Sequence, residues 1–293
     1  MTLQFEPISL DRQDEYHEAL TGCPQLMTSD FSFANVFGWA EHYGLEWAFH
    51  DKLCFIRQTK PEPVCWAPVG PWEEYDWANC RAMTEGKRFV RVPEALTRLW
   101  SIAYGNKITI SESRDHWDYV YSVEELIALK GKAFHKKKNL LNQFKKSYLY
   151  TYESMAPECV EEVLEMQDEW FKWYEENNPS EALKAENHAI TRVLQHIDQI
   201  KGLMGATIRV EGKVIAYTVA EPLCEDSLVI HFEKGDIRYK GVYQAINQMF
   251  LENDGAEFTN VNREQDLGDP GLRKAKMSYN PSFFLKKFEA ELL

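Results

Sequence analysis

Hydrophobic and polar positions follow one order of elements that occurs twice along the chain. In the first half, two segments with helical spacing of apolar residues precede three short strand-like runs, and Asp51-Lys52 predicts a hairpin turn between the first two runs. Further helix and strand patterns follow. The first-half elements are helices over 11–20 and 31–43, strands LEWAFH, LCFIRQT and PVCWAPV, a helical stretch from Gly70 to about Glu85, strand RFVRV, a helix through Trp100, and strands KITISE and WDYVYS.

The second half repeats this order. A long helix over about 157–176 carries apolar side chains near one face, and a second helix covers 182–196. Glu211-Gly212 predicts a tight turn within another three-strand run. Both halves therefore predict helix, helix, three-strand meander, helix, strand, helix, strand. The remaining elements are strands LMGATIRV, VIAYTVAE and SLVIHFEK, a helix over 238–253, strand EFTNVN, a helix after Pro270-Gly271, and the aromatic run SFFLKKF.

The repetition predicts an α/β fold of the α+β type, with mixed sheets in two tandem units. We divide the chain into a first unit over 1–128, a basic connecting helix over 129–150 and a second unit over 151–293 that carries the site. Two similar units side by side commonly hold ligands where they meet. The sequence therefore predicts a cleft shared by the two units.

Composition narrows the class of protein. The 293 residues include 33 basic and 46 acidic side chains, a formal net charge of −13 that disfavours a protein coating nucleic acid. Apolar runs stay short of the ~20 residues that span a bilayer, and the N-terminal segment lacks a signal-peptide pattern. The six cysteines lack metal-site spacing. We expect a cytoplasmic globular protein with reduced thiols, no transmembrane segment and no metal site.

A lysine-rich segment stands out against this acidic background. LKGKAFHKKKNLLNQFKKS carries +7, which leaves −20 for the rest of the chain. On a helical wheel, Phe134, Leu141, Phe144 and Tyr148 form one stripe and the lysines face away from it. Lysine runs are usually solvated faces, but this segment also fits a dock for tRNA, a phosphorylated cofactor or lipid headgroups. The candidate contacts for an extended polyanion are Lys136, Lys137 and Lys138.

The second candidate segment joins a strand to a helix near residue 238. Helix N-termini offer unpaired N–H groups that suit a phosphate, and Arg238, Lys240 and Gly241 lie at this junction. Their spacing resembles the pyrophosphate loop of GNAT acyltransferases, although Tyr243 stands where that pattern has Gly or Ala. These residues are the candidate cofactor-binding group, with acyl-CoA as one donor.

The third candidate segment is NVNREQDLGDPGLRKAKMSYNP. Polar side chains at a strand's carboxyl end are where α/β units commonly hold reacting groups. Glu264 and Asp266 are the candidate catalytic carboxylates, since a carboxylate there can take a proton from a nucleophile. A salt-bridge network that holds the last loop is the alternative. The candidate anion-binding residues are Arg263, Arg273 and Lys276.

Taken together, the landmarks identify a resemblance. DFSFAN at Asp30–Asn35, the lysine segment, NREQDLG at Asn262–Gly268 and GLRKAK at Gly271–Lys276 resemble a bacterial family related to the C-terminal catalytic domain of phosphatidylglycerol lysyltransferases. The resemblance implies two tandem GNAT-like units. It also implies kinship with enzymes that move an aminoacyl group from aminoacyl-tRNA to a lipid headgroup.

Three functional hypotheses follow from these segments. The first is a transferase that moves an activated acyl group, from aminoacyl-tRNA or a similar donor, to an amine or hydroxyl of a small molecule or lipid headgroup. The second is an acyl-CoA-dependent N-acetyltransferase-like enzyme. The third is a non-catalytic tandem GNAT-like binding module. No nucleophile elbow, Walker loop, dinucleotide fingerprint or zincin motif occurs, which disfavours those chemistries.

Overall fold

A computed structural model gives the structure of the protein, and it describes residues 3–23, 28–80, 82–83 and 87–293. Two seven-stranded mixed sheets organise this part of the chain, each within its own compact unit. The first unit comprises the described residues up to Asp118 together with Gln265–Pro270 and Phe284–Leu293. The second unit comprises Tyr119–Glu264 and Gly271–Phe283.

The first unit contains a sheet in the order β1-β2-β3-β4-β5-β14-β6, where β4 and β5 are parallel and the other neighbours antiparallel. Asp51 and Lys52 both have positive φ, as a two-residue hairpin turn requires, so the predicted turn is confirmed. The strands are β1 (Glu6–Pro7), β2 (Glu46–His50), β3 (Leu53–Gln58), β4 (Val64–Trp66), β5 (Arg88–Pro93), β6 (Ile108–Glu112) and β14 (Lys287–Leu292), and the helices are α1 (Gln13–Thr21), α2 (Phe33–Tyr43) and α3 (Glu94–Tyr104).

The helical stretch predicted after Gly70 differs from the observed chain. Two short 3-10 turns, Trp72–Glu74 and Trp77–Asn79, occupy its described part. Residues 81, 84 and 85 of that prediction lie outside the described residues. Trp72 and Trp77 are buried and donate their indole N–H groups to backbone carbonyls, so tertiary packing rather than helical periodicity sets this segment.

The second unit contains the sheet β13-β7-β12-β11-β10-β9-β8, in which β11 and β12 form the parallel pair. β10 is buried along most of its length, because the sheet is covered on both faces here. The strands are β7 (Asp118–Ser122), β8 (Tyr150–Ser154), β9 (Met204–Val210), β10 (Lys213–Cys224), β11 (Ser227–Gly235), β12 (Asn260–Asn262) and β13 (Phe283–Leu285), and the helices are α4 (Val123–Ala128), α5 (His135–Ser147), α6 (Val160–Asn177), α7 (Glu181–Gln195), α8 (Val242–Asn253) and α9 (Pro270–Met277).

The last strand of each half of the chain pairs in the sheet of the other half. β7 ends the first half of the chain but pairs with β12, whereas β14 ends the second half and pairs with β5 and β6. The compact units therefore differ from a division at 129–150. A strand pattern specifies the conformation of a segment but not its neighbours in the sheet, so the exchange is invisible in the element order.

Helix α5 has the stripe that its sequence predicts. Phe134, Leu141 and Phe144 are buried, and Tyr148 is half-buried. Helix α8 begins later than predicted, at Val242, because residues 236–241 form a turn. Gly241 caps this helix with φ +87°, and a Cβ there would lie 2.2 Å from the carbonyl oxygen of Leu140. Only glycine therefore permits this approach of α5 to α8.

Candidate functional site

The parallel strands β11 and β12 of the second unit separate after a short paired stretch. Ser227–Val229 pair with Asn260–Asn262, and β11 then continues alone on that side to Gly235. The chain leaving β12 places charged side chains next to the unpaired part of β11. Such separations at strand ends open space between strands for a ligand. The side chains gathered here are His231, Glu233, Arg263 and Glu264.

Glu264 leaves β12 in a left-handed conformation, with φ +55°. Its backbone N–H donates to Asn262 Oδ1 at 2.8 Å, and its carbonyl accepts the N–H of Tyr119 at 3.2 Å. The carboxylate lies 2.9 Å from Nδ1 of His231, and 21% of the side chain is exposed. The backbone bonds hold Glu264 in an otherwise uncommon conformation, with its side chain partly exposed.

His231 lies between two carboxylates. Its Nδ1 meets Glu264, and its Nε2 lies 3.0 Å from Glu221. Burial alone would lower the pKa of His231, but the hydrogen bonds and charges of Glu221 and Glu264 raise it to about 9. The imidazolium form therefore prevails at neutral pH and donates to both carboxylates. The hydrogen bond from Nδ1 fixes the orientation of the Glu264 carboxylate.

Arg263 forms the second half of the strand-end cluster. Its Nη2 donates to Glu233 Oε1 at 2.9 Å, and its guanidinium carbon lies 4.9 Å from the ring centre of Tyr279. Glu233 also accepts the side-chain N–H of Asn247 at 2.9 Å, and Gln244 donates to the Tyr279 hydroxyl at 3.0 Å. Strand β11, helix α8 and the segment after α9 thus hold the guanidinium in place, and 17% of the Arg263 side chain is exposed.

Lys137 of helix α5 reaches the same tyrosine. Its Nζ lies 4.0 Å from the ring centre of Tyr279 and 2.7 Å from the hydroxyl of Ser278. Burial and the positive charge of Arg263 lower the pKa of Lys137. Its neighbours Lys136 and Lys138 are exposed. The structure therefore brings one of the three predicted lysines to the strand-end cluster and leaves the other two on the helix surface.

Lys276 and Arg273 lie on α9. Lys276 donates from Nζ to the carbonyl oxygen of Arg263 and approaches that of Glu264 at 3.4 Å. It therefore supports the backbone of the cluster rather than pointing a free cation at a ligand. Arg273 is partly exposed on the same helix.

Asp266 lies apart from this cluster, in the first unit. Its carboxylate is fully buried, pairs with Arg114 at 3.2 Å and accepts the N–H of Gly268 at 2.9 Å. These contacts close the turn that follows the strand end. The geometry thus distinguishes two carboxylates that the sequence ranked together: Glu264 is accessible, and Asp266 holds a turn.

The junction before α8 contains the predicted cofactor-binding residues. Arg238 is exposed and donates from Nε to Asp236 at 2.9 Å, and the N–H of Lys240 donates to the Tyr148 hydroxyl at 3.1 Å. Gly241 lies against the Leu140 carbonyl of α5. Helix α5 therefore covers part of the helix end that a pyrophosphate would need. The ring of Tyr243 is also anchored there, because its hydroxyl accepts the indole N–H of Trp170 at 3.2 Å.

Sequence reasoning missed several members of the cluster. These are His231, Glu221, Glu233 and Tyr279. The available signal was the pair His231 and Glu233 at i, i+2 after the apolar run LVI of this strand, which places both side chains on one face. Among the described residues, no group of three His, Cys, Asp or Glu side chains is arranged to hold a metal ion.

Comparison with known proteins identifies the family. Residues 25–291 match the family described as phosphatidylglycerol lysyltransferase, C-terminal, and the chain belongs to this family. An uncharacterized protein of Mycoplasmoides gallisepticum is 24% identical over 179 residues, which cover 60% of this chain and 56% of that protein. The chain thus spans about half the length of this curated relative.

Solved structures share the fold. A conserved protein of unknown function from Bacteroides thetaiotaomicron has a TM-score of 0.86 at 28% identity, with 100% of both chains covered. The C-terminal domain of a putative lysylphosphatidylglycerol synthetase from Agrobacterium fabrum has a TM-score of 0.64 at 11% identity, with coverage of 96% of this chain and 92% of that one. A tandem GNAT protein from the clavulanic acid biosynthesis pathway has a TM-score of 0.50 at 8% identity, with coverage of 99% and 98%.

These comparisons confirm the predicted family resemblance and the tandem GNAT-like mixed α/β fold. The family supports a transferase of the acyl or aminoacyl type. Within the part of the chain that the structure describes, no helix combines the length and apolar character needed to cross a membrane.

Proposed function

We propose that this protein is an aminoacyltransferase that moves an aminoacyl group from aminoacyl-tRNA to an amine or hydroxyl acceptor, with Glu264 as general base. The observation that carries the proposal is the partly exposed side chain of Glu264, whose carboxylate lies 2.9 Å from Nδ1 of the buried His231 imidazolium. The cations Arg263 and Lys137 belong to the same strand-end cluster. A positioned carboxylate that can take a proton is what attack on an ester requires.

The reaction assigns a role to each group. The acceptor N–H or O–H attacks the ester carbonyl carbon, a new C–N or C–O bond forms, and the released proton passes to Glu264. The bond to the ribose oxygen of tRNA then breaks, and that oxygen takes the proton from Glu264. His231 orients the carboxylate, and Arg263 and Lys137 bind anionic substrate groups near the reacting atoms. Lys136, Lys138 and Arg273 attract the polyanionic donor over a longer range.

The charge distribution supports tRNA as the donor. The segment from Lys130 to Lys146 carries +7 in a chain of net charge −13, and its lysines other than Lys137 are exposed. A surface of this kind favours the phosphate backbone of a nucleic acid. The acyl-CoA alternative is less favoured, because α5 and Tyr243 occupy space around the α8 N-terminus. The structures with related folds leave the acceptor open, since fold does not fix the substrate.

The test is Glu264→Gln, which keeps the side-chain shape and removes the base. We expect kcat for acceptor-dependent release of labelled amino acid from aminoacyl-tRNA to fall about 10²–10⁴-fold. Glu257→Gln, at an exposed glutamate of the same unit, is the matched control and should stay within twofold of wild type. The assay uses a panel of aminoacyl-tRNAs with amine and hydroxyl acceptors, including anionic phospholipid. Unchanged turnover in Glu264→Gln, or no binding of charged tRNA even at low salt, contradicts the proposal.

A further inference from the structure

The cations of the strand-end cluster differ in how their charge is balanced. Lys137 is half-buried, and none of the ion pairs among the described residues supplies it with a carboxylate partner. A half-buried ammonium without a counter-charge is costly unless a ligand supplies one. The partners it does have are a hydroxyl and an aromatic face, from Ser278 and Tyr279. Both leave the positive charge uncompensated.

A second cation near the Lys137 ammonium makes its charge still less favourable when no ligand is bound. Arg263 approaches the same Tyr279 ring, and its positive charge lowers the pKa of Lys137. Two cations that approach one ring repel each other, and Glu233 pairs with only one of them. An anion placed between Lys137 and Arg263 removes this repulsion. Ser278, which is exposed, shows that solvent reaches the edge of this group.

We infer that Lys137, Arg263 and Ser278 form a discrete subsite for a phosphodiester group of a substrate. The inference rests on the proposed function, and it adds which substrate chemistry this part of the site receives. A phosphodiester carries one negative charge and two free oxygens, so Lys137 can bind one oxygen while an Arg263 N–H that does not face Glu233 binds the other. The Ser278 hydroxyl donates to the carbonyl of Ala275 at 2.6 Å and accepts from Lys137 at 2.7 Å, so it positions the ammonium for this group. A carboxylate ligand could make the same two contacts only with the two oxygens of its planar carboxylate group.

The same chemistry comes from two sources in the proposed reaction. One is the backbone of the CCA end of tRNA, close to the aminoacyl ester. The other is the headgroup of a phospholipid acceptor. Glu264 follows Arg263 directly in the chain, so either source would present its reacting atoms close to the proposed base. Two soluble probes distinguish them: the trinucleotide CCA, which has internal phosphodiesters, and glycerophosphoglycerol.

The experiment measures binding of each probe by titration calorimetry to the full chain and to three single variants. The variants are Lys137→Gln, Lys136→Gln and Lys138→Gln. Each removes one positive charge from adjacent positions on α5, so their effects on the overall electrostatic potential of the helix are matched. We expect Lys137→Gln to weaken binding of one probe by about tenfold or more. Lys136→Gln and Lys138→Gln remove only long-range attraction, so they should weaken it by about threefold at most. The probe that responds identifies the source of the phosphodiester.

Three results would overturn the inference. Equal losses in all three variants mean that the helix acts as a diffuse field. If the wild-type protein at millimolar concentration binds neither probe, no phosphodiester subsite exists. If citrate binds more strongly than both probes, the ligand is a carboxylate. If Lys137→Gln fails to fold, as urea unfolding would show, Ser278→Ala at the exposed partner tests the same subsite, with an expected loss of about threefold or more. Failure of the proposed function is seen separately, as unaltered turnover in Glu264→Gln.

Discussion

Each of the two sheets contains one parallel strand pair that is followed directly by an arginine. In the first unit, pairing of β4 with β5 ends at Trp66 and Val90, and Arg91 follows; in the second, pairing of β11 with β12 ends before Arg263. Both arginines pair with a carboxylate and lie near an aromatic ring, at 4.2 Å from the Trp66 ring centre for Arg91. The local geometry is thus repeated in the two units.

The surroundings of the two arginines differ. Arg91 pairs with Asp30, and Lys287 pairs with both Asp30 and Asp118, the latter at 2.7 Å. Asp30, Asp118 and Lys287 have no exposed side-chain surface. Burial alone would raise the pKa of Asp30, but Lys287 and Arg91 lower it well below its ordinary value. The charges of this cluster are satisfied within the protein.

The cluster around Arg263 keeps accessible charge instead. Glu264 and Arg263 are partly exposed, and Lys137 has no carboxylate partner among the ion pairs of the described residues. The comparison shows that the same strand arrangement can hold either an internal ion network or a candidate functional site. The difference is whether every charge is paired within the protein. Three predictions sharpen this contrast.

The largest effect is expected from Lys287→Met in the first unit. It leaves Asp30 and Asp118 buried with one cation fewer, and removal of one partner from a buried ion pair costs about 3–5 kcal/mol. Lys286→Met is the matched control, because Lys286 is 41% exposed and its pair with Glu112 is worth less than about 1 kcal/mol. Urea unfolding at pH 7 measures both. A loss below about 1 kcal/mol for Lys287→Met would show that the cluster is not the closed network described above.

The next effect concerns His231 and pH. Its pKa is raised to about 9 from the ordinary 6.5, so the stability it contributes is complete below pH 6.5 and is lost as the pH rises through about 9. The difference in free energy of unfolding between wild type and His231→Gln should shrink over this range by an amount on the order of 2–3 kcal/mol. His135→Gln, at an exposed histidine, should show no such change. A constant difference from pH 6 to pH 10 would mean that His231 is not a buried imidazolium.

The smallest effect is expected from Arg238→Gln at the α8 junction. Arg238 is 74% exposed and pairs with Asp236 on the surface, so the stability change should stay within about 0.5 kcal/mol. Since α5 covers part of this helix end, turnover with aminoacyl-tRNA should change by less than threefold. The measurement is kcat/KM alongside urea unfolding. A tenfold loss, or thermal stabilisation by acetyl-CoA that the variant abolishes, would restore this junction as a donor site.

The candidate site could be predicted only in part. The sequence named Glu264, Arg263 and Lys137, because a polar strand end and a lysine run are visible as patterns. It could not separate Glu264 from Asp266, which lie two residues apart and differ only in their tertiary partners. The resemblance to the lysyltransferase family supplied the fold and the class of reaction, since both follow from motifs along the chain.

What the sequence determined by itself is local and periodic. The stripe of α5, the positive-φ turns at Asp51-Lys52 and Glu211-Gly212, and the order of helices and strands depend on residues close together in the chain. Only the tertiary structure decided that β7 and β14 pair in the sheets of the opposite halves and that His231 lies between two carboxylates. It also decided that Lys137, rather than its two neighbours, approaches the same Tyr279 ring as Arg263. These features depend on contacts between distant segments, and the burial and charge pairing that follow appear only when those segments are packed.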